Sequence, residues 1–282
     1  MGTDGGVGPR RRAGALVLAA MLCLPGMACA GSSASSASTD VVSGPRPLPL
    51  QLLGTELRLR RALQDWRASD PTLLEPPPPA VLTAAAQERE FVHRLAQSPA
   101  LARRTLAAFS VRVSAPLAAE VAAARDLQRL AGPPSGTPAP ALHLVPPRPA
   151  GELLADYRRA ERRFGVHWQV LAAVNLIETA FGRVVNRSGA GARGPMQFLP
   201  ATWRAYGLGG DIDSPRDAIL GAANYLHRSG APGDDRRALF AYNHSTLYVD
   251  AVVTYARQMT RDPLAFLRYY AWEASLPATL GG

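Results

Sequence analysis

The chain has 282 residues, of which 31 are basic, all of them arginine, against 22 acidic ones, for a formal charge of +9. Such a balance could favour an anionic cell-wall polymer or membrane surface, but the arginines are spread along the chain and the lack of lysine points rather to a base-composition bias; no stretch interleaves arginines with regularly spaced aromatics, which argues against a nucleic-acid partner. Both cysteines, Cys23 and Cys29, lie in the first thirty residues, so the remaining chain forms no internal disulfide and offers no thiolate for a metal.

Residues 1–30 run from a basic patch, Arg10 to Arg12, through an apolar stretch to the small residues ACAGSS. That order is the order of a secretory signal peptide, and the apolar stretch is too short to span a bilayer. Two endings are open. Ala28-Cys29-Ala30 has the small–x–small form of ordinary cleavage, whereas GMAC with Cys29 last has the form of a lipoprotein signal, in which Cys29 would be acylated and anchor the protein to the membrane. Gly26 stands where that second motif carries a large aliphatic residue.

Residues 31–79 read as a Ser/Pro-rich tether, largely disordered, with one helix near 50–68. Residues 80–132 turn to Ala, Leu, Arg and Glu at helical spacing and read as an accessory segment of two or three short helices packing on the C-terminal domain. Prolines crowd 133–149, a linker. From 150 to 262 helix signals come at close intervals. An amphipathic stretch covers 150–164, an apolar one covers 166–181, and Gly182 is placed to cap the latter in the left-handed conformation. Pro200 and Ser214-Pro215-Arg216-Asp217 open further helices, the second running to Gly230, and Asp234 and Ser245 cap two more. Residues 263–282 form a tail helix. The fold class is all-α.

The stretch LAAVNLIETAFG, 171–182, places a single carboxylate, Glu178, on a helix that is apolar nearly all round. Leu171, Val174 and Phe181 share its face, and Asn175 is its polar neighbour. A carboxyl desolvated in this way rises in pKa, and an acid still protonated near neutrality can donate to a leaving oxygen. A Glu at a helix end reaching water past Gly182 remains the competing reading. The loop SGAGARGPMQ, 188–197, has three glycines that let a ligand approach the backbone, and Ala241-Tyr242-Asn243-His244 combines an aromatic with an amide.

The ordered set IETAFG, SGAGARGPMQFLPATW and ALFAYNHS with YVDAVVTYA resembles the catalytic domain of soluble, goose-lysozyme-like (SLT-type) lytic transglycosylases, in the form found in high-GC Gram-positive bacteria, over roughly 150–260. The resemblance implies a lysozyme-like domain that cleaves the β-1,4 bond between N-acetylmuramic acid and N-acetylglucosamine in peptidoglycan strands, without cofactor or metal. Carried over by position, Glu178 is the single general acid/base, and the product is a 1,6-anhydro sugar. Ser188 matches the loop serine near the acid, Met196 and Gln197 the cleft lining, Tyr242 and Asn243 the sugar-holding pair, and Tyr248 a tyrosine bracing the acid. Thr179 replaces the commoner serine, and Pro195 a frequent leucine. GGDIDSP offers only Asp211 and Asp213 where some relatives bind calcium, too few ligands for that ion.

Two other functions compete. A muramidase would hydrolyse the same bond with water and call on a second carboxylate such as Asp211 or Asp213; a wall-binding protein would keep the fold without the chemistry. His167 and Trp168 open the Glu178 helix; His167 reads as a packing residue ahead of a substrate contact at the cleft edge, His244 as a cap or turn residue that could also reach the cleft, and Tyr269, Tyr270 and Trp272 as a tail helix sealing the core rather than a sugar-stacking strip. The expected protein is a monomer exported to the outer face of the membrane or the cell wall.

Overall fold

The computed structural model describes residues 47–132, 141–277 and 279–280. The expected signal peptide with Cys29, residues 31–46 and residues 133–140 lie outside them. The described residues form eleven helices: α1 Leu48–Ser69, α2 Pro79–Gln97, α3 Pro99–Leu106, α4 Val111–Ala131, α5 Ala150–Phe164, α6 Trp168–Thr179, α7 Pro200–Tyr206, α8 Pro215–Arg228, α9 Asp235–Tyr242, α10 Thr246–Arg261 and α11 Ala265–Ala274. Two two-residue strands, β1 Leu142–His143 and β2 Thr279–Leu280, pair antiparallel. The fold is all-α.

The helix expected near 50–68 is present as Leu48–Ser69, 22 residues long, and these residues are not disordered tether. The reason is spacing: Leu52, Leu59, Leu63 and Trp66 fall on one face and are each at most 3% exposed, so the helix gains enough apolar burial to offset its ordering cost. The run PPPP does not prolong a tether either; its last proline, Pro79, is the first residue of α2, the position where a missing N–H costs nothing. The accessory segment contains two long helices and one short one, and α4 carries Pro116 within its first turns.

These four helices share a hydrophobic core with the rest of the chain. α4 lies along α10, α2 packs on α11, and Gln258 of α10 donates to the Pro116 carbonyl at 2.9 Å. A buried ion cluster joins the layers. Arg268 of α11 donates to Glu88 of α2 at 2.7 Å and to Glu120 of α4 at 2.6 Å, and Trp272 Nε1 reaches Glu88 at 2.8 Å. Residues 141–149 are equally committed: Val145 bonds to Arg183, and the Arg183 guanidinium, 3% exposed, holds the carbonyls of Val145, Glu273 and Leu276. The tail helix is shorter than expected, ending at Ala274, and Tyr269, Tyr270 and Trp272 are buried in the core.

At the centre stands α6. Ten consecutive residues, Val170 to Thr179, are buried, as befits a helix apolar all round and packed on every side. Around it lie α5, α8, α10 and α11.

Candidate active site

α6 ends two residues earlier than the apolar pattern suggests. Its C-cap is Ala180 rather than Gly182, and Ala180, Phe181 and Gly182 are all left-handed, with φ of 53°, 61° and 85°. Two side-chain-bearing residues in that region cost about 1–2 kcal/mol each. The turn is held nonetheless: Phe181 N donates to Asn175 O at 3.1 Å, Gly182 N to Thr179 Oγ1 at 3.0 Å, and the Phe181 ring packs edge-on against Phe266. Glu178 is therefore fixed in the last turn of a buried helix instead of fraying into water.

Glu178 is 1% exposed. Burial pushes its carboxyl up to about 8, and the hydrogen bond from Tyr248 acts in the opposite sense. Tyr248, in the first turn of α10, donates its phenol to Glu178 Oε1 at 2.8 Å. Burial first, then the Glu178 charge, raises the phenol itself, so it stays a donor at neutral pH. The other oxygen, Oε2, is buried without a hydrogen-bond partner among the described residues. Because Oε1 already accepts, Oε2 is the oxygen free to carry the proton of the neutral acid.

The glycine loop closes beside this acid as a small hairpin. Arg193 and Phe198 exchange backbone hydrogen bonds of 3.0 Å in both directions, and Gln197 N turns back to Gly194 O at 3.0 Å. Gly194 is obligatory on two counts: its φ is +75°, and a Cβ there would stand 2.0 Å from the Ile212 carbonyl oxygen. Gln197 is also left-handed, φ 48°, pinned by its own Nε2 to the carbonyls of Asn186 and Gly194.

Side chains from three helices hold the loop. Thr179 Oγ1 donates to Pro195 O at 2.5 Å, Asn175 Nδ2 donates to the same oxygen at 2.8 Å, and the Tyr242 phenol of α9 donates to Met196 O at 2.5 Å. Tyr157 of α5 in turn donates to Asn175 Oδ1 at 2.6 Å. The Tyr242 ring stacks nearly parallel to that of Tyr248, 6.5 Å between centroids. Tyr248 thus links Glu178 to Tyr242, and Tyr242 links on to Met196 of the loop, with Gln197 next in sequence; Asn243, 7% exposed, caps α9 directly after Tyr242. Ser188 sits at the loop's far end, where its hydroxyl accepts from Ala192 N at 3.0 Å.

Other candidates fall elsewhere. Asp213 is ion-paired with Arg193, and Asp211 accepts from Asp213 N at 3.0 Å, both on the outer side of the loop. His167 is not a packing residue; its side chain is 62% exposed, with Nδ1 3.5 Å from Glu161. His244 is exposed and packs edge-on against Phe240. No group of three or more His, Cys, Asp or Glu side chains is placed to hold a metal among the described residues.

Sequence reading missed Tyr157 altogether and gave Asn175 no role beyond being polar. Asn175 carried a signal, an amide on a face otherwise apolar. Tyr157 carried none, because its partner is 18 residues away on another helix.

Residues 157–263 match the transglycosylase SLT domain family. The chain carries a domain of that family, whose fold is lysozyme-like and whose members cleave glycosidic bonds in peptidoglycan. Comparison with curated proteins and with solved structures gives no match.

Proposed function

From a transglycosylase SLT domain built in this way, we propose a lytic transglycosylase with Glu178 as its one general acid/base. The observation that carries the reading is the state of that carboxyl: buried, raised to about 8 by desolvation, and with an unpartnered proton-bearing Oε2. At neutral pH Oε2 protonates the glycosidic oxygen as the C1–O bond to N-acetylglucosamine breaks. The resulting carboxylate, supported by the Tyr248 phenol, takes the proton from the muramyl C6 hydroxyl while that oxygen closes on C1. The 1,6-anhydro ring forms and no water is consumed. Positive charge developing at the sugar is offset by the substrate's acetamido group and by the loop's fixed dipoles.

Because the nucleophile belongs to the substrate, a second carboxylate is not required. In keeping with this, desolvation raises the Glu178 carboxyl and the Tyr248 hydrogen bond opposes it, with no second carboxylate acting on it among the described residues. Met196, Gln197, Tyr242 and Asn243 line the sugar side, with Ser188 at the loop end. The protein works outside the membrane, either as a free form cleaved at Ala28-Cys29-Ala30 or anchored through acylated Cys29, and lipid labelling of wild type against Cys29→Ala separates the two. Digestion of purified peptidoglycan followed by mass spectrometry tests the reading: the products are lighter by one water than those of hydrolysis, and Glu178→Gln yields none. Products carrying the extra water would make the enzyme a muramidase instead.

A further inference from the structure

The arginines, scattered in sequence, gather at one place in the fold. The C-terminal half of α5 exposes Arg158, Arg159, Arg162 and Arg163. The spacing i, i+1, i+4, i+5 puts all four on the outward side, opposite the buried Leu153, Tyr157 and Ala160. The patch continues onto α8. Arg163 lies over the Phe164 ring, 5.2 Å from its centroid, and Phe164 meets His227 at 6.3 Å, next to exposed Arg228.

No carboxylate of α5 neutralises this group. Glu152 and Asp156 are both taken by Arg148, and Glu161 accepts from Trp168 N while facing His167. Among the described residues none of the four arginines has an ion pair or hydrogen bond. The helix dipole accounts for cations near a C-terminus, but it gives no reason for four to be crowded on a surface without counter-charge.

We propose that this face binds a linear phosphodiester polymer. The guanidinium is a planar fork that meets the two non-ester oxygens of a phosphodiester with paired N–H donors. Four such forks within about 8 Å of helix length fit a chain bearing one phosphate per repeating unit. Phosphate keeps its charge at every relevant pH. The location is apt: the buried side of the same helix holds Tyr157, which donates to Asn175 one turn before Glu178, so a polymer seated here would keep the catalytic helix close to the wall. The proposal rests on the wall-directed reading of the SLT domain for its setting, and on charge placement for its substance.

The test measures binding without cleavage, using the Glu178→Gln chain and a soluble poly(glycerol phosphate). The expected affinity falls at least about tenfold between about 50 and 200 mM salt, as counter-ions are released. Replacing Arg158, Arg159, Arg162 and Arg163 by Gln weakens binding at low salt by at least about tenfold. An equal-charge control, Arg67, Arg103, Arg104 and Arg112 to Gln, removes four exposed arginines elsewhere and changes affinity by less than about threefold. Equal losses in both variants would show that only net charge matters and overturn the assignment. So would equal binding of poly-glutamate, capture by anionic lipid vesicles in place of the polymer, or no binding at all. With Glu178 intact, the α5 variant still cleaves soluble wall fragments, so a failure here is separable from a failure of the catalytic reading.

Discussion

Glu178 and the pair Glu88 and Glu120 are buried to the same degree, at 1%, 3% and 1% exposed, yet they are provided for differently. Glu88 and Glu120 face one partly buried cation, Arg268, at 2.7 and 2.6 Å. Burial still lifts Glu120, and Glu88 adds to the lift, but Arg268 draws it back. Glu178 has only a neutral phenol. The first arrangement joins α2, α4 and α11 into one core; the second leaves a proton on an oxygen that nothing in the described structure shares. Burial of a carboxylate therefore does not by itself mark an active site. Both Glu120 and Glu178 keep one oxygen without a hydrogen-bond partner among the described residues, so it is the cation beside the first and the neutral phenol beside the second that distinguish the two.

The sharpest way to break this contrast is to neutralise Glu178. Glu178→Gln should lower the rate of wall digestion by about 10³-fold or more, the upper part of the range for a lost general acid, while the protein stays folded. Stability also separates the variants. A folded carboxyl raised from 4.5 to about 8 contributes stability that is complete below about pH 4.5 and lost as the pH rises to about 8. Thermal melts across that window should show wild type losing up to about 5 kcal/mol relative to the glutamine variant.

Arg268→Met tests the other site. It leaves two carboxylates buried without their cation and should cost about 3–5 kcal/mol at neutral pH, with partial recovery in acid as the carboxyls protonate. Adding Glu88→Leu and Glu120→Leu should restore most of the loss in denaturant titrations. If Arg268→Met alone were harmless, the cluster would not be what holds the N-terminal layer.

Tyr248→Phe refines the comparison within the candidate site. The phenol favours the carboxylate, so its removal should move the alkaline limb of the pH–rate profile upward from near pH 8 and slow turnover by about tenfold, the worth of one charge-assisted bond. A downward shift would mean that the phenol stabilises the neutral acid instead. The smallest effect belongs to Thr179→Val. It removes one of two donors to Pro195 O and the acceptor for Gly182 N, at about 1–3 kcal/mol, measured as a lower melting temperature together with reduced activity.

Much of the site could be read in advance because its signals are local. Glu178 stands out as the one charge on an apolar helix, and the glycine spacing of 189–194 marks a loop whose backbone must come close to something. Where reading failed, the cause was a partner remote in sequence. Residues 48–69 read as a helix near 50–68, but the surfaces of α2 and α11 on which Leu59 and Trp66 pack are remote in sequence. The end of α6 moved to Ala180 because the Asn175 carbonyl and the Thr179 side chain, with the burial of Phe181, hold a turn that glycine preference alone would place later.

By itself the sequence determined the helical class, the apolar axis that became α6, and the motif residues of an SLT domain, since periodicity and motif spacing are properties of neighbouring residues. Only the tertiary structure decided which buried carboxyl keeps its proton. That depends on where Arg268 and Tyr248 come to rest, 180 residues from Glu88 and 70 from Glu178, and Coulomb and desolvation energies follow distance in space rather than along the chain.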